Sequence, residues 1–389
     1  MVFIGRLEMQ RTGRWVSVVW VVAAFICALQ GRTVVGADSG ASVPAAGKAK
    51  YVFLFIGDGM GRYQRAAATA YLRETAKNPD AVLTMDAFPV QGETLTDAAG
   101  GGVTDSAAAG TALATGHKTT NKRIAMDASG REDLRTMAER ARARGMKIGI
   151  LSSVSLDHAT PACFYAHVPS RNEYAKIAHA AITTPTVDFL GGGGLLGQKQ
   201  GDGTDLLETA KKQGIILVRT RKALAAVQPG KRVFAFNHRL DKKAALPWVT
   251  ASKPDDLTLA ELTRHGIRLL DNPQGFFIMV EGGKIDWACH SNDLKSAVRE
   301  TLAFDEAVAV AREFAKARPA DTLVVVTADH ETGNLRPAKG GAGYRFGSKG
   351  HSAQPVPTSA LGVGAERFKG KTHLVDISHR LAELMGQSE

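Results

Sequence analysis

The stretch Phe276-Phe277-Ile278-Met279-Val280 is apolar without a break and runs straight into Glu281-Gly282-Gly283-Lys284-Ile285-Asp286-Trp287-Ala288-Cys289-His290. A strand that is apolar at every position has to be covered on both faces, a condition met by parallel strands inside an α/β sheet. Acidic residues directly after such a strand lie at its carboxyl end, where open α/β sheets build their sites. Three further stretches repeat the arrangement. Residues 51–56 lead into Gly57-Asp58-Gly59, residues 147–151 precede His158-Ala159-Thr160, and residues 323–326 lead into Thr327-Ala328-Asp329-His330. One such motif is weak evidence, whereas four point to a shared site.

Apolar runs alternate with amphipathic segments along the chain. The pattern predicts strands at 51–56, 91–96, 147–152, 187–190, 215–218, 232–236, 276–281 and 322–327. It predicts helices at 62–76, 106–115, 131–144, 172–183, 204–213, 257–271, 293–317 and 374–385. This order implies an α/β fold with a central, mainly parallel β-sheet and helices on both faces. The run Gly191-Gly192-Gly193-Gly194 suits a turn that needs positive φ. Residues 237–256, with Pro247 and Pro254, read as a long surface connection.

The first 37 residues differ from the rest. Arg6, Arg11 and Arg14 precede an apolar run from Trp15 to Leu29, and Val35-Gly36-Ala37 offers small residues at a cleavage position, the layout of a secretory signal peptide. An uncleaved amino-terminal anchor is the alternative. Residues 38–50 are small and polar and suit a flexible segment, leaving 51–389 for a single enlarged domain or two. A periplasmic or secreted location follows, with no stable membrane span after signal cleavage. Cleavage removes four arginines and one glutamate and takes the net charge from +11 to +8. The remaining lysines and arginines are scattered and accompany no nucleic-acid motif, so the charge points to anionic small molecules rather than to a specific nucleic-acid partner. Cys27 leaves with the signal, and Cys163 with Cys289 is too little for a disulfide framework.

Several residues carry chemistry. Asp58 sits in Ile56-Gly57-Asp58-Gly59-Met60-Gly61, a sharp turn that leaves room for a ligand; capping the next helix is the plainer role. The segment lacks both G-x-G-x-x-G and G-K-[ST]. Ser106, in Val103-Thr104-Asp105-Ser106-Ala107, opens a helix of small residues whose free N–H groups suit attack on a phosphoryl group. Serine there is more often only a cap, and no G-x-S-x-G elbow surrounds it. His290 follows Asp286 by four residues, on one face of a helical turn, and Asp329 adjoins His330.

Taken together, the segments around Asp58, Asp105-Ser106, His158-Ala159-Thr160-Pro161 with Arg171, Glu281 to His290, Asp329-His330-Glu331-Thr332-Gly333 and Gly350-His351-Ser352 resemble the alkaline phosphatase family, in family order over roughly residues 50–385. The resemblance implies a single catalytic domain over 51–389, two Zn2+ and one Mg2+ per subunit, and hydrolysis of phosphate monoesters, with broad substrate range and an alkaline pH optimum. Ser106 would be the phosphorylated nucleophile. Asp286, His290 and His351 would hold the first zinc, which binds the leaving-group oxygen and later activates water. Asp58, Asp329 and His330 would hold the second zinc, which also binds Ser106. Asp58, Thr160 and Glu281 would hold magnesium, Arg171 would grip two phosphate oxygens, and Asp105 would orient Arg171. These ligand sets make chemical sense, since nitrogen with carboxylate suits zinc and an oxygen set suits magnesium.

Two positions distinguish this chain from some bacterial relatives. His158 stands where they carry aspartate, which weakens the third site for magnesium or admits zinc. Trp287 stands where they carry lysine or histidine, so easier release of phosphate is expected. Only residues 331–350 separate His330 from His351, where the family often inserts a crown region. A minimal or absent crown is expected, which removes part of the interface through which the family commonly forms a homodimer. Two competing readings remain. One is a phosphodiesterase or sulfatase on the same fold, against which stand Arg171 and the absence of a C/S-x-P-x-R sequence around Ser106. The other is a non-catalytic periplasmic metal- or phosphate-binding protein.

Overall fold

A computed structural model describes residues 48–340 and 343–387. The expected signal peptide at 1–37 lies outside the described residues, as does 38–47. Ala49 and Lys50, assigned above to a flexible segment, are instead tied down: the Ala49 N–H donates to the Leu384 carbonyl (2.8 Å) and the Lys50 N–H to the Asp321 carbonyl (2.8 Å). The strands are β1 (Tyr51–Ile56), β2 (Val90–Leu95), β3 (Lys147–Ser152), β4 (Phe189–Gly192), β5 (Ile216–Val218), β6 (Val233–Phe236), β7 (Phe276–Glu281), β8 (Thr322–Thr327), β9 (Glu331–Thr332), β10 (Arg336–Pro337), β11 (Tyr344–Arg345), β12 (His351–Ser352), β13 (Val356–Gly362) and β14 (Gly370–His373). The α-helices are α1 (Arg62–Ala76), α2 (Ser106–Thr115), α3 (Met137–Ala143), α4 (Ala159–Ala162), α5 (Tyr174–Thr183), α6 (Leu206–Lys212), α7 (Arg221–Ala226), α8 (Leu259–Leu270), α9 (Lys284–His290), α10 (Leu294–Ala317) and α11 (Leu374–Leu384).

Ten strands form one sheet in the order β14-β2-β13-β8-β1-β7-β3-β4-β6-β5. Every pairing in it is parallel except those of β13, which runs antiparallel to both β8 and β2. All six residues of β1 are buried. Val52, Leu54 and Ile56 face one core with Phe277 and Met279, while Tyr51, Phe53 and Phe55 face the other with Phe276, Ile278 and Val280. The unbroken apolar runs thus reflect a sheet roofed on both sides. The two-residue strands stand apart as β10 paired with β11 and β9 paired with β12.

Every expected strand and helix is found, with shifted ends, and several elements were not foreseen. The helix expected at 131–144 starts only at Met137. Asp127 pulls residues 129–132 into a turn by accepting from the N–H groups of Ser129, Arg131 and Glu132, and a Thr136–Glu139 capping box sets the start. In the four-glycine run only Gly192 has positive φ, and close packing acts on the next residue: a Cβ on Gly193 would lie 2.4 Å from the Ala244 carbonyl oxygen. Residues 237–256 are more than a surface connection, since Asn237, Ala245, Leu246 and Asp256 are buried. No described helix is long and apolar enough to cross a membrane.

The core also contains Glu300 of α10, whose carboxylate accepts from the Val249 N–H (2.8 Å). Burial pushes this carboxyl up to about 7. A folded pKa above the unfolded value means that its contribution is fully present below the unfolded pKa and lost as pH rises through the folded one. Glu300→Gln keeps the acceptor and removes the titration. By thermal melts it should be more stable than the parent by roughly 2–3 kcal/mol near pH 9, with no such gain near pH 4; a gain that does not depend on pH would contradict this account.

Candidate active site

Parallel register brings the site together. Ile56 pairs with Glu281 and with Thr327, and Ser152 pairs with Glu281, so β8, β1, β7 and β3 end in one row. Asp58 lies two residues beyond that row, Glu281 is in it, and Asp329 lies two beyond Thr327. Gly59 turns the chain after β1 with φ +69°. A Cβ there would come within 2.8 Å of Thr332 Oγ1 and 3.0 Å of Asp286, so no side chain fits. Its N–H donates to Asp329 Oδ1 (3.1 Å).

Helix α9 displays Asp286 and His290 on one face, with His290 Nε2 3.3 Å from Asp286 Oδ2. The β9–β12 ribbon pairs Thr332 with His351 and so delivers His351 beside His330; the two imidazoles stack 3.6 Å apart. His290 Nε2 and His351 Nε2 approach to 3.2 Å, and His351 Nε2 is 3.6 Å from Asp286 Oδ1. His330 Nε2 lies 3.3 Å from Asp329 Oδ2, 3.5 Å from Asp58 Oδ1 and 3.4 Å from Ser106 Oγ.

Tautomers follow from the partners of the other ring nitrogen. His290 Nδ1 meets the Lys349 carbonyl and His351 Nδ1 the Thr104 carbonyl. A carbonyl only accepts, so each Nδ1 carries the proton. Thr332 Oγ1 donates to Asp286 Oδ1 (2.6 Å), leaving it to accept from His330 Nδ1 (3.2 Å). With the proton on Nδ1, each ring turns its Nε2 toward the other rings and toward carboxylates. That arrangement is repulsive without a cation among them.

Buried oxygens tell the same story. Both oxygens of Asp58, Oδ2 of Asp329, Oε1 of Glu281 and Oγ1 of Thr160 have no hydrogen-bond partner, although all four residues are fully buried. Leaving such groups unpaired is costly. Burial, then the charge of Asp329, raises Asp58 well above the carboxylate range; burial pushes Asp329 up to about 8 and Glu281 up to about 7. Burial would raise Asp286 too, but the hydrogen bond from His290 and the neighbouring histidines outweigh it and hold Asp286 below its usual value. Three groups within this site could hold ions: Asp286 with His330 and His351, Asp58 with Asp329 and His330, and Asp58 with Glu281 and His158. His290 adjoins the first through Asp286 and His351. The donors suit zinc in the first two and a harder ion in the third, apart from the nitrogen that His158 contributes.

Ser106 is the first residue of α2, and Asp105 is its cap, accepting from the Ala108 N–H (2.9 Å). The other Asp105 oxygen receives Arg171 Nη1 (3.2 Å), and Arg171 Nη2 lies 3.3 Å from His158 Nε2. Burial combined with the Arg171 charge holds the His158 imidazole down at about 3, so it is neutral. Trp287 is half-buried, with its ring edge-on to His158 (centroids 5.8 Å) and Lys243 Nζ 4.5 Å from its centre. Ser106, Asp105, Arg171, His158 and Trp287 are thus linked contact by contact to the carboxylates and imidazoles described above, while Thr160 is buried in α4 with its hydroxyl unpartnered.

It also adds residues. Ser152 donates to Glu281, and its signal was its place in the same strand-end row. Thr332 joins Asp286 to His330. Glu331 accepts from Gln64 Nε2 (3.0 Å), the Leu335 N–H (3.0 Å) and Ser352 Oγ, locking the ribbon that carries His351. Lys284, fully buried, had no signal beyond its closeness to Asp286.

A profile of the family described as alkaline phosphatase matches residues 49–345. Alkaline phosphatase 4 of Bacillus subtilis (strain 168) is 34% identical over 322 residues, covering 78% of this chain and 65% of that protein. The chain thus spans slightly less than two thirds of the length of that curated relative. The alkaline phosphatase from the Antarctic bacterium TAB5 superposes with a TM-score of 0.77 at 29% identity, covering 88% of this chain and 100% of that one. A variant of the TAB5 enzyme with Mg bound in its M3 site gives a TM-score of 0.76 at the same identity and coverage. Fold, profile match and the convergence of buried carboxylates and imidazoles agree, and the chain belongs to the alkaline phosphatase family.

Proposed function

We propose that this chain hydrolyses phosphate monoesters through a phosphoserine at Ser106, with water completing the turnover to give inorganic phosphate and an alcohol, in the periplasm or outside the cell. The observation that carries this reading is the position of Ser106 at the amino-terminus of α2, beside unpaired metal-ligating groups and the Asp105–Arg171 pair. Asp286, His290 and His351 would hold one zinc; Asp58, Asp329 and His330 a second; and Asp58, Thr160 and Glu281, with His158 adjoining, would hold magnesium. When bound, these ions supply Lewis acidity and positive charge next to Ser106.

The chain's own residues do the rest. The fork of Arg171 is aligned by Asp105 and binds two oxygens of a terminal phosphate, a grip that a diester's second substituent would obstruct. The free N–H groups of α2 face the incoming anion. Phosphoryl transfer asks mainly for such positioning and charge neutralisation, which accords with a broad range of alcohols. An alkaline optimum follows from proton competition, because Asp329 at about 8 and Glu281 at about 7 are occupied by protons at and below neutrality.

The test is hydrolysis of an aryl phosphate monoester at alkaline pH, before and after chelation and after zinc and magnesium are returned. Loss on chelation and recovery with both metals are expected. Failure of the fully metallated protein to hydrolyse the monoester would overturn the reading, and faster cleavage of a bis-aryl diester would replace it with a diesterase.

A further inference from the structure

A groove opens beside His290, lined by Asp241, Lys242, Lys243, Trp248, Trp287 and Ser291. Its far wall is the 237–256 segment, and its position is fixed from beneath by Lys284, a lysine with no solvent exposure. Lys284 Nζ donates to the Leu246 carbonyl (2.6 Å) and to Asp241 Oδ2 (3.2 Å), and it lies 4.2 Å from the centre of the Trp248 ring. Helix α9, which carries Asp286 and His290, is thereby pinned to the loop bearing Lys242 and Lys243.

Charge in the groove is one-sided. The Asp241 carboxylate is committed: one oxygen accepts the Lys243 and Ala245 N–H groups (2.8 and 3.0 Å) and the other faces Lys284. Lys242 and Lys243 are exposed, and the cation of Lys243 rests on the Trp287 ring. The aromatic walls lower the local dielectric and strengthen that field. From Lys243 the wall continues through Trp287 and His158 to Arg171, so the groove adjoins the phosphate grip on the side of His290, where the alcohol would depart.

Resting on the monoesterase reading above, we infer that this groove is a leaving-group subsite selecting phosphate monoesters whose alcohol carries a second anion, a carboxylate or a further phosphate, with Lys242 and Lys243 as its specificity-determining residues. Phosphate is gripped by Arg171, and the second anion lies against the lysine pair. The plain alternative for two exposed lysines is a solvated surface. Against it stand their placement along a groove beside His290 and the buried lysine that holds their loop there.

The experiment compares kcat/KM for 3-phosphoglycerate against its methyl ester, and for propane-1,3-diol bisphosphate against 3-hydroxypropyl phosphate, using metallated protein and Lys242→Ala/Lys243→Ala. The ratio within each pair is the readout, so a general loss of activity cancels. A preference for the anionic member is expected, falling roughly 3- to 10-fold in the double variant, as suits exposed charge pairs. The two arms separate carboxylate from phosphate as the second anion. In the unaltered protein the preference should also shrink between about 0.05 and 0.5 M salt, which needs no variant to fold. Ratios that are equal in parent and variant and indifferent to salt would overturn the subsite alone. Hydrolysis of none of the four esters, nor of an aryl phosphate, would overturn the monoesterase reading and the subsite with it.

Discussion

Ser106→Ala should lower hydrolysis of an aryl phosphate by on the order of ten-thousand-fold in kcat, since removing a nucleophile abolishes the covalent route and leaves only binding and charge stabilisation. Ser106 begins α2, and alanine is at home in the first turn of a helix. The cap beneath it is Asp105, which keeps its own bonds to Ala108 and Arg171. The variant should therefore fold and retain its metals, which metal analysis of the purified protein would check. Ser106→Thr, which retains a hydroxyl but adds a methyl in a buried position, should recover part of the loss. Rapid quenching of the parent should trap phosphate on the protein, and the alanine variant should trap none. Residual activity within about tenfold of the parent would mean that water attacks the ester directly.

Asp58→Asn should have the second large effect, and it has two signs. Asp58 is common to two of the ion-holding groups, and neither of its oxygens has another partner. Asparagine keeps the shape but loses a charge from both groups, so a loss of roughly a thousandfold in activity and clear weakening of metal retention are expected. Without metals the ordering of stability should reverse. Burial and the charges of Asp329, Asp286 and Glu281 raise the Asp58 pKa, and a raised carboxyl costs stability as pH rises through its folded value. Metal-free Asp58→Asn should therefore melt above the metal-free parent at alkaline pH, while the metallated parent melts above both. If the metal-free parent proves the more stable of the two at alkaline pH, the buried carboxylates are not the source of strain inferred for them.

Much of this was legible because the chemistry sits at strand ends. An apolar run such as 276–280 announces a buried strand, and whatever follows it falls at the rim, so Asp58, Glu281, Asp286, Asp329 and His330 could be placed from their neighbours. His351 could not be placed that way. It reaches the site through a two-residue pairing with Thr332, too short to leave a pattern, and only the resemblance identified it. Strand β13 was missed for a different reason. It contains Pro357, and its buried Thr358 is satisfied by Thr94 and Thr327 (2.6 and 2.9 Å), so polar residues fill a position where an apolar signal was sought. The 237–256 segment misled because prolines and lysines read as surface. Its burial comes from long-range contacts, Lys284 to Asp241 and Leu246, Ser153 to Leu246, Gly194 to Ala244 and Glu300 to Val249, which no local pattern encodes.

The ribbon of β9 and β12 has an architectural implication. Glu331 ties Gln64, Leu335 and Ser352 together at its base, so the placement of His330 and His351 is held by bonds within the ribbon itself, and the β10–β11 hairpin loops out between its two strands. Whatever length is spliced into that hairpin leaves the clasp unchanged. The hairpin is thus a graft point where an added module would ride on the catalytic body as an attachment, which makes it the natural place to fuse a reporter or an affinity domain to this protein.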